Sequence, residues 1–203
     1  MLFRSNDLEL HDELVNSVKD SIYKKPSMET GFHTIFKKYV FHLHPIYLNC
    51  ILCLENSEEI IKKLFDGILE YDFIQYHSPG YNLTKKILEK ENIKDIVFLQ
   101  NHGLIVSSND YHDAIYYITL INKTAKYYIK ENVKIFEEFS IDWYYRKNVE
   151  LYSWPDSVIL SDFETIAANN YINRICEQIG VLKELTKEDI EYLKNMNSEK
   201  YRL

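Results

Sequence analysis

Two stretches decide how this chain is read: Tyr39-Val40-Phe41-His42-Leu43-His44-Pro45 and Ile96-Val97-Phe98-Leu99-Gln100-Asn101-His102-Gly103. Each is an apolar run of strand length that leads into histidine, and Pro45 marks the exit of the first. A strand sends alternate side chains to opposite faces, so His42 and His44 project from one face of a sheet. His102 follows the second run, which predicts a neighbouring strand ending at the same edge. Gly103 then allows a tight backbone turn beside a bound ion. A third segment, Pro26-Ser27-Met28-Glu29, adds a carboxylate at a helix start. Glu29, His42, His44 and His102 together form a ligand set that suits a divalent transition metal such as zinc.

Each segment alone has a plainer reading. A His-x-His pair in a strand is commonly a half-buried pair, and Asn-His-Gly is commonly a turn. Ser-x-Glu before an apolar helix is a helix start, with serine accepting free amide hydrogens and glutamate suiting the positive end. It is the combination, in this order, with strand-like runs leading into two of the three pieces, that points to a site.

Composition bounds the answer more loosely. A chain of 203 residues is read as one domain, residues 1–203, able to bury a sizeable core. Its formal charge is 24 − 31 = −7, and no Lys/Arg run with interleaved aromatics occurs, which argues against nucleic acid or an acidic membrane as the main partner. Phosphorylated substrates stay compatible, because one local cationic pocket binds them whatever the net charge. Met1 to Asp7 lacks a basic region followed by an apolar core, so no secretory signal is expected. The longest apolar stretch, Tyr39 to Leu54, is broken by His42, His44 and Asn49 and is too short to span a bilayer. Cys50, Cys53 and Cys176 are an odd number in apolar settings, and Cys50-Ile51-Leu52-Cys53 has no second pair to complete a zinc or redox motif. Buried thiols in a reducing, cytoplasmic compartment are the better reading.

The periodicity describes one α/β unit without repeats or linkers. Helices are expected over Leu8 to Ile22, Glu29 to Lys38, Ile46 to Leu54 and Ser57 to Leu69, the last capped by Ser57. Ser78-Pro79-Gly80 opens another, Tyr81 to Glu89. Asn109 caps a long one whose stripe Ala114, Ile118, Ile121, Ala125, Tyr128 faces the core. Phe163 to Ile179 and Lys187 to Asn195 complete the set, with Thr186 and Asp189 resembling a capping box. Strands are expected at Tyr39 to His44, Phe73 to Tyr76, Ile96 to Gln100 and Leu104 to Val106, with a late one at Val158 to Leu160. His11 and His112 read as solvated surface residues. His33, one helical turn after Glu29, reads as a supporting or structural residue, since four protein ligands already fill a zinc sphere. His77, ahead of the Ser-Pro-Gly turn, is a candidate for the pocket wall.

The same segments make the chain resemble the class II aldolase/adducin family, which includes L-fuculose-1-phosphate and L-rhamnulose-1-phosphate aldolases and L-ribulose-5-phosphate 4-epimerase. The resemblance runs from about Lys25 onward: Pro-Ser-x-Glu with His33 four residues on, His-x-His-Pro, Ser78-Pro79-Gly80, and Leu99-Gln100-Asn101-His102-Gly103-Leu104. Trp154-Pro155-Asp156-Ser157-Val158 and Glu199-Lys200-Tyr201-Arg202 look like a sugar-aldolase branch of it. The resemblance implies a three-layer α/β domain with a central, mainly antiparallel sheet flanked by helices. It also implies a divalent metal, zinc or a relative, on Glu29, His42, His44 and His102. Glu29 would double as a base, Ser27 would contact a substrate phosphate, and Asn101 and Gly103 would lie against substrate. The partners implied are a small sugar or sugar phosphate and further copies of the chain, a tetramer in much of the family. The tyrosine that family enzymes use as an acid is not mapped by any motif here.

The implied chemistry follows from the ligands. Breaking a carbon–carbon bond next to a hydroxyl leaves negative charge on an enediolate, which a divalent ion stabilises as a Lewis acid. One departure stands out: the family's Gly-Asn-x-Ser phosphate segment is not found ahead of Pro26, where Ser5-Asn6-Asp7 is no substitute. A shortened front end, with weaker hold on simple ketose phosphates, is therefore expected. Two functional classes follow: a metal-dependent aldolase, with epimerase or dehydratase as variants, or a non-catalytic adducin-like scaffold. The complete ligand set favours the enzyme.

Overall fold

The computed structural model of the protein describes residues 30–139 and 163–195. Its elements run α1 (Thr30–His33), β1 (Tyr39–Leu43), α2 (Ile46–Leu52), α3 (Ser57–Phe65), β2 (Asp72–Ile74), α4 (Tyr81–Leu88), β3 (Ile96–Leu99), β4 (Gly103–Ser108), α5 (Tyr111–Asn132), α6 (Phe163–Ile179) and α7 (Lys187–Asn195). The strands form one sheet in the order β1-β4-β3-β2. β1 is antiparallel to β4 with Leu43 opposite Leu104, β4 is antiparallel to β3, and β3 is parallel to β2. The mainly antiparallel sheet flanked by helices is the architecture expected.

Side-chain alternation divides the core. Ile96, Phe98, Leu104 and Val106 pack on one face, with α2, α3, α5 and α6. Val97, Leu99 and Ile105 pack on the other, with Phe32 of α1 and Leu83 and Ile87 of α4. All seven residues of α2 are buried, which explains why its sequence reads as nearly continuous hydrophobe. The free thiols of Cys50, Cys53 and Cys176 are buried, and Cys176 Sγ donates to the Cys50 carbonyl at 3.2 Å. Burial pushes the Cys50 and Cys176 thiols up from their ordinary range, Cys176 to about 12. They are inert packing groups. Among the described residues, no helix is long and apolar enough to cross a membrane.

Several element ends differ from the sequence expectation, each for a local reason. The Asn56 residue, not Ser57, occupies the cap position of α3, because the Ser57 hydroxyl points inward and accepts from Gln100 Nε2 at 3.1 Å. Asp110, not Asn109, caps α5, its carboxylate accepting from the His112 amide at 2.7 Å. The buried stripe of α5 ends on Ile129 rather than Tyr128, which is only partly buried. The helix begun near Glu29 stops at His33, where the Thr34 hydroxyl donates to the Gly31 carbonyl at 2.7 Å and competes with helical bonding. The capping box of α7 forms as read: Asp189 N donates to Thr186 Oγ1 at 3.1 Å, and Thr186 N donates back to the Asp189 carboxylate at 3.3 Å. The helix read at Leu8 to Ile22 and the strand at Val158 to Leu160 lie outside the described residues.

Candidate metal centre

β1 and the β3–β4 turn bring three imidazoles together. His42 Nε2 lies 3.1 Å from His102 Nε2 and 3.1 Å from His44 Nε2, with its ring edge-on to both neighbours. One nitrogen from each of the three falls within 4.8 Å of the others. A tetrahedral zinc with Zn–N bonds of about 2.0–2.1 Å requires N···N spacings of roughly 3.3–3.4 Å. The two close pairs sit within a few tenths of an ångström of that spacing.

The protonation pattern fits as well. His42 Nδ1 lies 3.2 Å from the Leu104 carbonyl, which can only accept, so the proton resides on Nδ1. The Nε2 lone pair is thereby turned toward His44 and His102, the usual way a backbone carbonyl sets the tautomer of a metal-binding histidine. His44 is 7% exposed and His102 2%, so bulk water reaches the cluster mainly beside the half-buried His42. The fully buried Phe32 closes one side, edge-on to His42 at 5.3 Å.

The turn that delivers His102 is built by its neighbours. Gln100, Asn101 and His102 link Leu99 to Gly103, which pair across the hairpin. The left-handed residue of this loop is Asn101, with φ 52°, a conformation asparagine tolerates better than most. Gly103 serves another purpose than the one read from the sequence. A Cβ there would lie 2.3 Å from the Leu43 carbonyl oxygen and 2.7 Å from His44 Cδ2. Only glycine lets β4 begin this close to the strand that carries the other two histidines. Asn101 is fully buried and its amide donates to the Lys183 carbonyl at 2.8 Å, so its evident task is to hold the turn.

Further bonds brace the same turn from α2 and its exit. Asn49 Nδ2 donates to the His102 carbonyl at 3.2 Å, Asn101 N to the Leu52 carbonyl at 3.1 Å, and Gln100 Nε2 to the Leu54 carbonyl at 3.3 Å. The sequence reading did not single out Asn49 as a site residue. Its signal was present, as the sole polar side chain in Ile46-Tyr47-Leu48-Asn49-Cys50-Ile51-Leu52 apart from the tyrosine hydroxyl.

The other candidates separate cleanly. Ser27 and Glu29 lie outside the described residues. His33 is exposed and stacks on Phe32 at 5.0 Å, on the outer side of the residue that touches His42. His112 is exposed in the first turn of α5. His77 lines a cavity of about 360 Å³ together with Tyr76, Ser78, Asn82 and Lys86. Burial and the Lys86 ammonium hold His77 below its ordinary pKa, against the pull of Glu89 and Asp189. This cavity adjoins the end of β2, where Tyr76 N donates to Gln100 Oε1 at 3.4 Å, so it sits at the same end of the sheet as the histidines.

A family model for the class II aldolase and adducin N-terminal domain matches residues 4–129. The chain belongs to the class II aldolase and adducin family. Among curated relatives, it is 29% identical over 138 residues to the uncharacterized oxidoreductase YuxG of Bacillus subtilis, covering 66% of this chain and 20% of that protein. It is 30% identical over 115 residues to the 3-oxo-tetronate 4-phosphate decarboxylase of Haemophilus influenzae, covering 50% of this chain and 55% of that one. The chain thus spans about a fifth and about half the length of these relatives. The family match takes in residues ahead of Pro26, where the sequence reading found no familiar motif, and stops at residue 129. The segments Trp154 to Val158 and Glu199 to Arg202 lie outside both that match and the described residues.

The Gly103 geometry generates a test. Gly103→Ala forces either the Leu43 backbone or the His44 ring to move, so metal affinity should fall by about tenfold or more, in the range seen when a ligand's support is removed. Gly67→Ala, at a positive φ in open space, should cost stability but leave affinity unchanged. Equilibrium dialysis of zinc against both variants checks this.

Proposed function

We propose that this chain is a divalent-metal-dependent carbon–carbon lyase, a zinc aldolase that cleaves a sugar or sugar phosphate in the retro-aldol direction. The observation that carries the proposal is the cluster of His42, His44 and His102, with His42 Nε2 3.1 Å from the Nε2 of each of the other two and His42 Nδ1 3.2 Å from the Leu104 carbonyl. Those three residues would hold the ion, with Glu29 as fourth ligand. Phe32, three residues beyond Glu29 in sequence, packs on His42.

A divalent ion in this position supplies Lewis acidity, stabilising negative charge on substrate oxygens as the bond breaks. The chain's own residues supply the rest. Neutral imidazoles leave the ion's positive charge undiminished, where thiolates would reduce it. In the cleavage, the hydroxyl proton leaves to a base, that carbon becomes a carbonyl, and the electron pair stays with the other fragment. Glu29 is assigned the proton movement, as the one carboxylate of the set. Ser27 is assigned to a substrate phosphate, and Asn101 and Gly103 to shaping the wall that carries His102.

A second reading is decarboxylation, favoured by the relative named as a 3-oxo-tetronate 4-phosphate decarboxylase. It breaks a carbon–carbon bond with the same charge left behind. Epimerase and dehydratase activity rest on the same charge stabilisation, whereas a non-catalytic adducin-like role gives no reason for the three-histidine cluster. The buried free thiols support a reducing, cytoplasmic setting. The proposal also includes a symmetric homo-oligomer, supported by the exposed Tyr116 and Tyr127 on α5.

Metal analysis of the purified chain, followed by a screen of ketose phosphates and 3-oxo sugar-acid phosphates for aldehyde or carbon dioxide release, tests the activity. Glu29→Gln should keep much of the metal and lose nearly all turnover; equal loss of both would make Glu29 a ligand only, and unchanged turnover would remove it from the mechanism. Light scattering at micromolar concentration should report an oligomer, and a monomer would count against that part of the reading.

A further inference from the structure

Asn49 is an anomaly of the apolar core. It is 0% exposed, in a helix whose other residues are equally buried and whose other side chains are apolar except for the Tyr47 hydroxyl. Its Oδ1 has no hydrogen-bond partner among the described residues. Burying such an oxygen costs about 1–3 kcal/mol, a penalty that leucine, with the same branching and the same number of side-chain heavy atoms, would not incur. The amide orientation is not ambiguous in function, since the group facing the His102 carbonyl at 3.2 Å must donate. The whole return for this buried amide is therefore one hydrogen bond, and it goes to the backbone of a clustered histidine.

The place of that bond in the fold gives it leverage. α2 begins directly after His44 and Pro45, so its first turn is fixed to the strand carrying His42 and His44. One turn later, Asn49 reaches the carbonyl of His102, on the far side of the cluster. A shift of the His102 peptide would carry its ring away from the His42 Nε2 only 3.1 Å distant. Gln100 and Asn101 are bonded to the end of the same helix, but through residues that bear no clustered ring.

We infer that Asn49 is a positioning residue for the metal centre, setting the distance of His102 from the His42–His44 pair through the His102 carbonyl. The inference rests on the three-histidine metal reading. Replacing Asn49 by Leu removes the unsatisfied Oδ1 together with the single bond to the His102 carbonyl, a gain and a loss of similar size, so metal-free stability should change little. Affinity should respond, because the support of a ligand is lost. Global destabilisation alone leaves affinity untouched while the metal-free chain stays folded, so the two effects separate.

The experiment is a cobalt(II) titration of the metal-free full chain, followed by visible absorption, beside a thermal melt of the same metal-free protein. Asn49→Leu is expected to bind cobalt about 10–100-fold more weakly, with altered visible bands and a melting temperature close to that of the wild type. Asn49→Ala, which deletes the amide without adding bulk, should show the same loss of affinity and guards against a leucine variant that fails to fold. Affinity within about twofold of wild type in a folded variant would overturn the inference, twofold being far below the loss expected for a ligand's support. Wild type and His42→Ala with identical titrations would instead remove the metal reading beneath it.

Discussion

The closeness of β1 to the start of β4 is the constraint on which the rest depends. Backbone meets backbone at Gly103, where a Cβ would overlap the Leu43 carbonyl oxygen at 2.3 Å. The register that places Leu43 opposite Leu104 sets His42 and His44 at one edge of the sheet and leaves His102 in the turn just before its partner strand. The Leu104 carbonyl orients the His42 ring. A one-residue slip would turn His42 to the opposite face and break the cluster.

Rigid elements keep that edge in place. α2 leaves the histidine strand, and it and its exit make three hydrogen bonds with the turn, through Asn49 and Leu52 of the helix and Leu54 just beyond it. A segment after α6 closes the other side: Lys183 N donates to the Cys53 carbonyl at 2.7 Å, and the Lys183 carbonyl accepts from Asn101. This clamp lies beyond residues 4–129, so part of the scaffold of the cluster is drawn from outside the matched family domain.

What could be read in advance was local. His42 and His44 were legible because strand alternation is a property of adjacent residues, and His102 because an apolar run and a turn residue frame it. The last helix, Lys187–Asn195, was legible to the residue, since Thr186 and Asp189 carry a pattern that needs no tertiary partner. The misreadings share a cause. Ser57 has a good cap composition but spends its hydroxyl on Gln100, which is 43 residues away. Gly103 looked like a turn glycine, yet the left-handed residue is Asn101, and the demand on Gly103 comes from a strand some 60 residues earlier in sequence, in the manner of glycines that permit close backbone approach. Asn49 reads in sequence only as a break in an apolar stretch, because its partner, His102, becomes a neighbour only after the sheet forms.

The central claim is that three imidazoles from two strands' ends bind one ion. X-ray absorption at the zinc edge, on the full chain loaded with one equivalent, tests it most directly. The account predicts a nitrogen and oxygen shell at about 2.0–2.2 Å with the outer-shell signature of imidazole, and loss of that signature in His102→Ala. A sulfur shell near 2.3 Å, as thiolates of Cys50 or Cys53 would give, or a spectrum indifferent to His102→Ala, would contradict it.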